Sequence, residues 1–185
     1  GASLSADKLP DGRMYYNIAQ RLLTDVLGRN YKIVSGYAVD VQKNLNKEAK
    51  ISLKVQVPLL NKDRITGIVN RFSSEVNFED VSWLLGEPIV NFTQSIIDDS
   101  IQKNAEFHAK AGLSARIERR TAGKCCEWCR RLAGTYEYPK APRNVYKRHR
   151  KCRCTVDYRT IDGKRQNVHT KQWSYQSRSD KIESR

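Results

Sequence analysis

Every cysteine of the chain falls inside one stretch, CCEWCRRLAGTYEYPKAPRNVYKRHRKCRC, which runs from Cys125 to Cys154. It holds two knuckles, Cys126-Glu127-Trp128-Cys129 as CxxC and Cys152-Arg153-Cys154 as CxC, with His149 placed before the second as HxxC. A tight turn presents two soft thiolates along one edge of a tetrahedron, so paired knuckles that close a loop suit zinc. On a strand, Cys152 and Cys154 share a face and can reach one ion together. The candidate metal ligands are therefore Cys126, Cys129, His149, Cys152 and Cys154. Two other readings stay open. Disulfides, for instance Cys126 to Cys152 with Cys129 to Cys154, fit an oxidising compartment, although the odd fifth cysteine counts against a dedicated framework. Reduced thiols packed as small hydrophobes are the second. A cysteine nucleophile ranks last, although neighbouring cations would lower a thiol pKa.

Charge divides the chain in the same place. Of the net +14, almost all lies in residues 113–185, with twenty Lys/Arg against seven Asp/Glu; residues 1–112 carry fourteen against thirteen. This predicts a mainly helical part over 1–112, a basic cysteine-rich module over 113–175 and a flexible tail over 176–185. A length of 185 residues suits one ordinary domain, or a domain with a small satellite. No apolar run is long enough for a membrane helix, no charged-then-apolar start resembles a signal peptide, and no membrane partner is expected. Gly1-Ala2-Ser3, without an initiating Met, reads as a cleavage scar, so a piece of a longer protein is expected.

The first part has helical periodicity. Met14, Ile18, Leu22 and Val26 share a face and Gly28 is a plausible stop, while Ile33, Val34, Tyr37, Val41 and Leu45 mark a second amphipathic helix. ISLKVQVPLL alternates briefly, and Pro58 limits it to an edge strand or an extended linker. Asn61 is a candidate N-cap for a helix with Ile65, Ile68, Val69 and Phe72 on one stripe. A short helix, a break at Gly86-Glu87-Pro88 and a long helix follow, the last burying Ile89, Phe92, Ile96, Ile97 and Ile101 and capped by Gly112. Asp98-Asp99 reads as a solvated face, because adjacent helix positions point apart. His108 reads as an ordinary surface or packing residue. Asn91-Phe92-Thr93 matches a glycosylation sequon, but Phe92 belongs to the buried stripe.

The second part changes character. ARIERRTAG sets Ile117 among charged neighbours and reads as a strand; CCEWCRRLAG is a helical turn ended by Gly134; TYEY and CRCTVDYRT are strands; Asp162-Gly163 is a hairpin signal. The fold class is α+β, a helical N-terminal part followed by a small α+β module with short antiparallel strands. A unit with so little apolar material needs a staple.

The basic run supplies a second signal. Arg143, Lys147, Arg148, Arg150, Lys151 and Arg153 crowd one short segment with Tyr146 among them, and Arg159, Lys164, Arg165 and Lys171 continue it. Such a one-sided run on a small unit marks a phosphate-binding surface. Nothing resembles a base-reading helix, so the expected partner is double-stranded DNA held non-specifically through its backbone.

GKCCEWCRRLAGTYEYP and VYKRHRKCRCTVDY together resemble the C-terminal module of phage minor head proteins, the Mu F-like head-morphogenesis family. The matching residues are Cys126 and Cys129, then Leu132 and Gly134, then His149, Cys152, Arg153 and Cys154, and the likeness extends over residues 85–173. The family usually has Pro after the His, where this chain has Arg150. The resemblance implies a low-copy, prophage-encoded capsid component near the portal, aiding head assembly, DNA packaging or ejection. Its place would be the virion, and the bacterial cytoplasm during assembly.

An enzyme is the alternative. Zinc-stapled nucleases and toxin-like effectors combine cysteine knuckles with a catalytic His; here His149 or His169 would be the base, with Asp157 or Asp162 holding a divalent ion. Against it, RHRKCRC surrounds His149 with cations and offers no carboxylate. A third class is a plain interaction module, whose helices bind a protein partner while the basic unit rests on an acidic capsid or portal surface.

Overall fold

A computed structural model describes residues 4–160 and 165–166. It is α+β: α1 (Tyr16–Glu48), α2 (Lys62–Phe72) and α3 (Glu87–Lys110) precede β1 (Ala115–Arg120), α4 (Glu127–Arg131), β2 (Gly134–Glu137), β3 (Thr155–Thr160) and β4 (Arg165–Gln166). The strands form one antiparallel sheet in the order β2-β1-β3-β4. Asp162 and Gly163, His169, Lys164, Lys171, the 176–185 tail and Gly1–Ser3 lie outside the described residues.

α1 runs straight through Gly28, where a stop was expected. An interior Gly costs only about 1 kcal/mol relative to Ala, and the packing of Leu23 and Leu27 before it and of Ala38 and Val41 after it outweighs that. The expected face is also displaced. Leu22, Val26, Ile33 and Tyr37 are exposed, and the buried stripe is Ala19, Leu23, Leu27, Ala38 and Val41, rotated towards α2 and α3. Two apolar stripes run side by side along this helix, and only contact with the rest of the chain selects one. α1 ends without glycine: Lys50 takes the left-handed conformation (φ 56°), and the Ile51 N–H closes on the Asn46 carbonyl at 2.8 Å.

α2 forms as its sequence predicts. Asn61 Oδ1 accepts the Arg64 N–H at 2.9 Å, and Ile65, Ile68, Val69 and Phe72 are all buried. The expected short helix before α3 is instead a pair of 3-10 turns, Phe78–Asp80 and Ser82–Leu85. α3 buries Phe92, Ile96 and Ile101, and Gly112 (φ 88°) provides the left-handed turn after it. Asp98 is fully buried rather than solvated. Asn91, 5% exposed, donates Nδ2–H to the His149 carbonyl at 3.0 Å, so the sequon lies in the interior.

Helices give way to strands close to Gly112, but the cores do not divide there. One apolar cluster lies among the N-terminal half of α1, α2, the 3-10 turns and the start of α3. The other joins Ala38, Val41, Ile101 and Ala105 of the helices to Ala115, Ile117, Val145, Val156 and Tyr158 of the module. A polar seam runs through this second core. Gln42 Nε2 donates to Tyr158 Oη at 3.0 Å, and the same hydroxyl lies 3.0 Å from His108 Nδ1. His108 is a fully buried packing residue. Among the described residues no helix is long and apolar enough to cross a membrane.

Candidate metal centre

The centre is assembled from a knuckle, a turn and the loop that leads into β3; Cys152 and Cys154, expected on a strand, precede its first residue, Thr155. Cys126 caps α4, its Sγ accepting the Cys129 N–H at 3.5 Å, so the sulfur that starts the helix and the one a turn later face the same way. His149, Arg150, Lys151 and Cys152 form a β-turn closed by the Cys152 N–H on the His149 carbonyl at 3.1 Å, with Lys151 left-handed at φ 61°. Arg150 holds the second position of this turn, where a fixed φ near −65° is favoured and proline is common. Here the Arg150 guanidinium lies over the Trp83 ring instead, 4.5 Å from its centroid.

This turn brings the five nominated ligands into two groups that share one member. Ligand atoms of Cys126, Cys129 and His149 lie within 4.8 Å of one another, and so do those of Cys129, Cys152 and Cys154. His149 Nε2 is 2.9 Å from Cys129 Sγ and 3.3 Å from Cys126 Sγ, and Cys129 Sγ is 3.8 Å from Cys152 Sγ. Four sulfurs about 2.3 Å from a tetrahedral zinc would be separated by about 3.8 Å, so the last spacing is one edge of such a site. His149 Nδ1 is 2.6 Å from the Arg150 carbonyl, an N–H donation that leaves the Nε2 lone pair facing the sulfurs. The Trp128 ring meets the imidazole edge-on at 5.6 Å. All five cysteines are free thiols, and Cys129, Cys152 and Cys154 are buried.

One residue of the centre escaped the sequence reading. Arg119 is not singled out there, yet two positions along a strand restores the face, and Arg119 shares the inward side of Ile117 at 2% exposure. Its guanidinium donates to the Val145 carbonyl, to the Lys147 carbonyl at 3.0 Å, and towards Cys152 Sγ at 3.6 Å and Cys129 Sγ at 3.8 Å. It also packs over Trp128 at 5.4 Å. No carboxylate pairs with it among the described residues. The available signal was a charge at an inward position of the Ala115-Ile117-Arg119 alternation.

Protons and thiolate charge are shared unevenly. Burial first, then hydrogen bonding to Cys154, pushes the Cys129 thiol up to about 12. At Cys152 burial is the largest single effect and pushes upward. The Cys154 backbone, the Cys129 and Cys154 thiols and the Arg148 charge together outweigh it and hold Cys152 below its ordinary value. Thiols bind a divalent cation as thiolates, so an ion entering this cluster would displace their protons.

The six nominated phosphate contacts separate into two sets. Arg148 is not a surface residue: its side chain is 2% exposed and forms a forked ion pair with Asp98, adding bonds to Gln94 Oε1 at 3.2 Å and the Cys154 carbonyl at 2.8 Å. Arg153 forks onto Glu87 at 2.6 and 3.0 Å, a hydrogen bond that holds the Glu87 carboxyl below its ordinary value. With Arg150 on Trp83, these three arginines tether the loop to α3 and the turn before it. Arg143, Lys147 and Lys151 are exposed with no ion pair among the described residues, and Arg150 and Arg153 are exposed too despite their tethers. Asp157, offered as a nuclease ligand, is buried on β3 and does not join the ligand groups around His149.

The fold and the cluster define a class: an α+β protein whose basic module carries a cysteine and histidine set able to hold a metal ion. Comparison with family models, with curated proteins and with solved structures finds no match to this chain.

Proposed function

We propose that the module is a zinc-stapled structural unit and that the chain serves as a phage minor head protein. In this role it is a capsid- or portal-associated component that touches DNA through its basic surface. One observation carries the zinc reading: a buried guanidinium, Arg119, whose partners are sulfurs and carbonyls rather than a carboxylate. An uncompensated buried cation is strongly unfavourable, so its surroundings must carry negative charge. Disulfides and neutral thiols supply none. Zinc bound by three thiolates and an imidazole, or by four thiolates, leaves a net anion beside Arg119. The ion would be held by Cys129 with a choice among Cys126, His149, Cys152 and Cys154, and it would supply folding energy rather than reactivity.

The head-protein reading rests on the motif residues Cys126, Cys129, Leu132, Gly134, His149, Cys152, Arg153 and Cys154. Its DNA contact rests on exposed Arg143, Lys147 and Lys151. The nuclease alternative is weaker, because the Nε2 of His149 faces two sulfurs and no carboxylate joins it among the described residues. Elemental analysis of protein purified without chelator, run beside a thiol titration, tests the staple. One equivalent of zinc with masked thiols supports it; absence of metal with oxidised cysteines refutes it. Duplex binding that weakens steeply with salt, without cleavage of plasmid or RNA in magnesium, manganese or zinc, supports the structural role.

A further inference from the structure

Between α1 and α2, residues 51–60 form no helix and join no strand among the described residues, and the backbone is extended at Gln56, where one side-chain amide meets both main-chain groups. Two side chains of α1 hold the segment, Tyr31 Oη donating to the Pro58 carbonyl at 2.6 Å and Asn46 Nδ2 to the Leu53 carbonyl at 3.3 Å. The Gln56 N–H donates to Asn104 Oδ1 at 2.8 Å and its carbonyl accepts from Asn104 Nδ2 at 2.9 Å, which pins both main-chain groups of Gln56 against α3. In extended backbone the main-chain groups of successive residues point to opposite edges. Those of Val55 and Val57 therefore point away from α3, and they have no hydrogen-bond partner among the described residues. Val57 and Leu59 beside them are 52% and 81% exposed.

Along this free edge lies a surface cavity of about 480 Å³. Its walls carry Lys43 and Lys47 of α1, Lys50 of the turn after it and Lys54 of the segment, its lining includes Ile51 and Val55, and no carboxylate lines it among the described residues. Lys43 makes a loose pair with Asp40 at 3.6 Å, whereas Lys47, Lys50 and Lys54 have no ion pair among the described residues. This basic site is separate from the cysteine module, in the half of the chain whose overall charge is nearly balanced.

We propose that the segment around Val55 and Val57 accepts an extended acidic segment of a partner protein by strand addition, its carboxylates meeting Lys47, Lys50 and Lys54. Unpaired strand edges are templates for such pairing, with main-chain bonds giving affinity and side-chain pockets giving specificity. Three features select the occupant. Three ammonium groups without an ion pair among the described residues call for an anion. Free main-chain groups and apolar lining residues suit a peptide better than a phosphate backbone. A second copy pairing here with itself would align lysines against lysines, a like-charge contact that disfavours it. The inference is independent of the metal centre and of the head-protein reading.

The test uses the full chain and a short fluorescent peptide of alternating Val and Glu, with an alternating Val-Lys peptide and a duplex oligonucleotide as competitors. Fluorescence anisotropy should report binding of the acidic peptide alone, weakened about tenfold or more by Lys47→Glu with Lys54→Glu. Amide exchange at Val55 and Val57 should slow when the peptide saturates the protein. The substituted lysines are exposed, and unchanged circular dichroism would confirm that the fold survives. No binding, binding that the double reversal does not weaken, or binding without protection of Val55 and Val57 would overturn the proposal. Displacement by the duplex would reassign the groove to nucleic acid, and concentration-dependent protection without peptide would reassign it to self-association; either outcome overturns the peptide reading.

Discussion

Arg148 and Asp98 face each other across the junction of the loop and α3, with side chains 2% and 1% exposed, and the guanidinium grips both carboxylate oxygens. A pair so deeply buried stabilises little in net terms but is strongly destabilising when halved. Asp98→Ala should therefore cost about 3–5 kcal/mol in chemical denaturation. Replacing both partners, Asp98→Leu with Arg148→Met, should recover most of that loss. A single variant as stable as the double would show that the pair does not position the loop.

The ligand groups make Cys129 the common member and leave Cys125 outside both. Cys129→Ser should abolish stoichiometric zinc and lower the thermal midpoint sharply, because structural zinc contributes folding energy directly. Cys125→Ser should do neither. Chelator should bring the wild-type midpoint down to that of Cys129→Ser. Equal midpoints for both variants would refute the staple.

Arg119 should act through charge. Arg119→Met keeps the volume and removes the cation, and metal affinity should fall about 10–100-fold, as for other groups that support metal ligands. Arg119→Lys should restore part of it. Competition with a chromophoric zinc chelator reads this directly. Affinity unchanged in Arg119→Met would mean that the guanidinium merely packs.

Two groups near the helices give the stability profile opposite slopes. Burial holds His108 below its ordinary 6.5, so its contribution is present above that pH and is lost as pH falls towards the folded-state value. Burial, then the Asp98 charge, raises Asp99 from 3.8 to about 6; its contribution is present below 3.8 and is lost as pH rises to about 6. Asp99→Asn should therefore raise the thermal midpoint at pH 7 and leave it unchanged near pH 3.5. His108→Gln should flatten the acid limb below pH 6.5. A scan of thermal midpoint against pH checks both signs.

If the exposed cations grip phosphate, Lys147→Glu with Lys151→Glu should weaken duplex binding for all sequences alike. The salt slope should fall by roughly 0.9 per lost contact. Arg153→Gln, which breaks a tether to Glu87, should change the slope far less. Equal effects from both changes would indicate that the tethered arginines also reach DNA.

Local chemistry made much of this readable from sequence. Asn61 caps α2 because an amide side chain satisfies an orphan N–H wherever it starts a helix. Ile65, Ile68, Val69 and Phe72 lie on one face by helical period alone, and CxxC and HxxC gather sulfur and imidazole within single turns. The α+β class, the break before α3 and the ligand cluster follow from such short-range rules. The tertiary structure decided which of two adjacent stripes on α1 is buried, since both satisfy the same period and only α2 and α3 choose between them. It decided that Arg148 and Asp98, fifty residues apart, meet in the interior, and that Arg119 turns its charge towards thiols rather than water. A charged side chain carries no local mark of its eventual partner. Its burial depends on compensation from distant parts of the chain, and that compensation exists only after the sheet has packed on the helices.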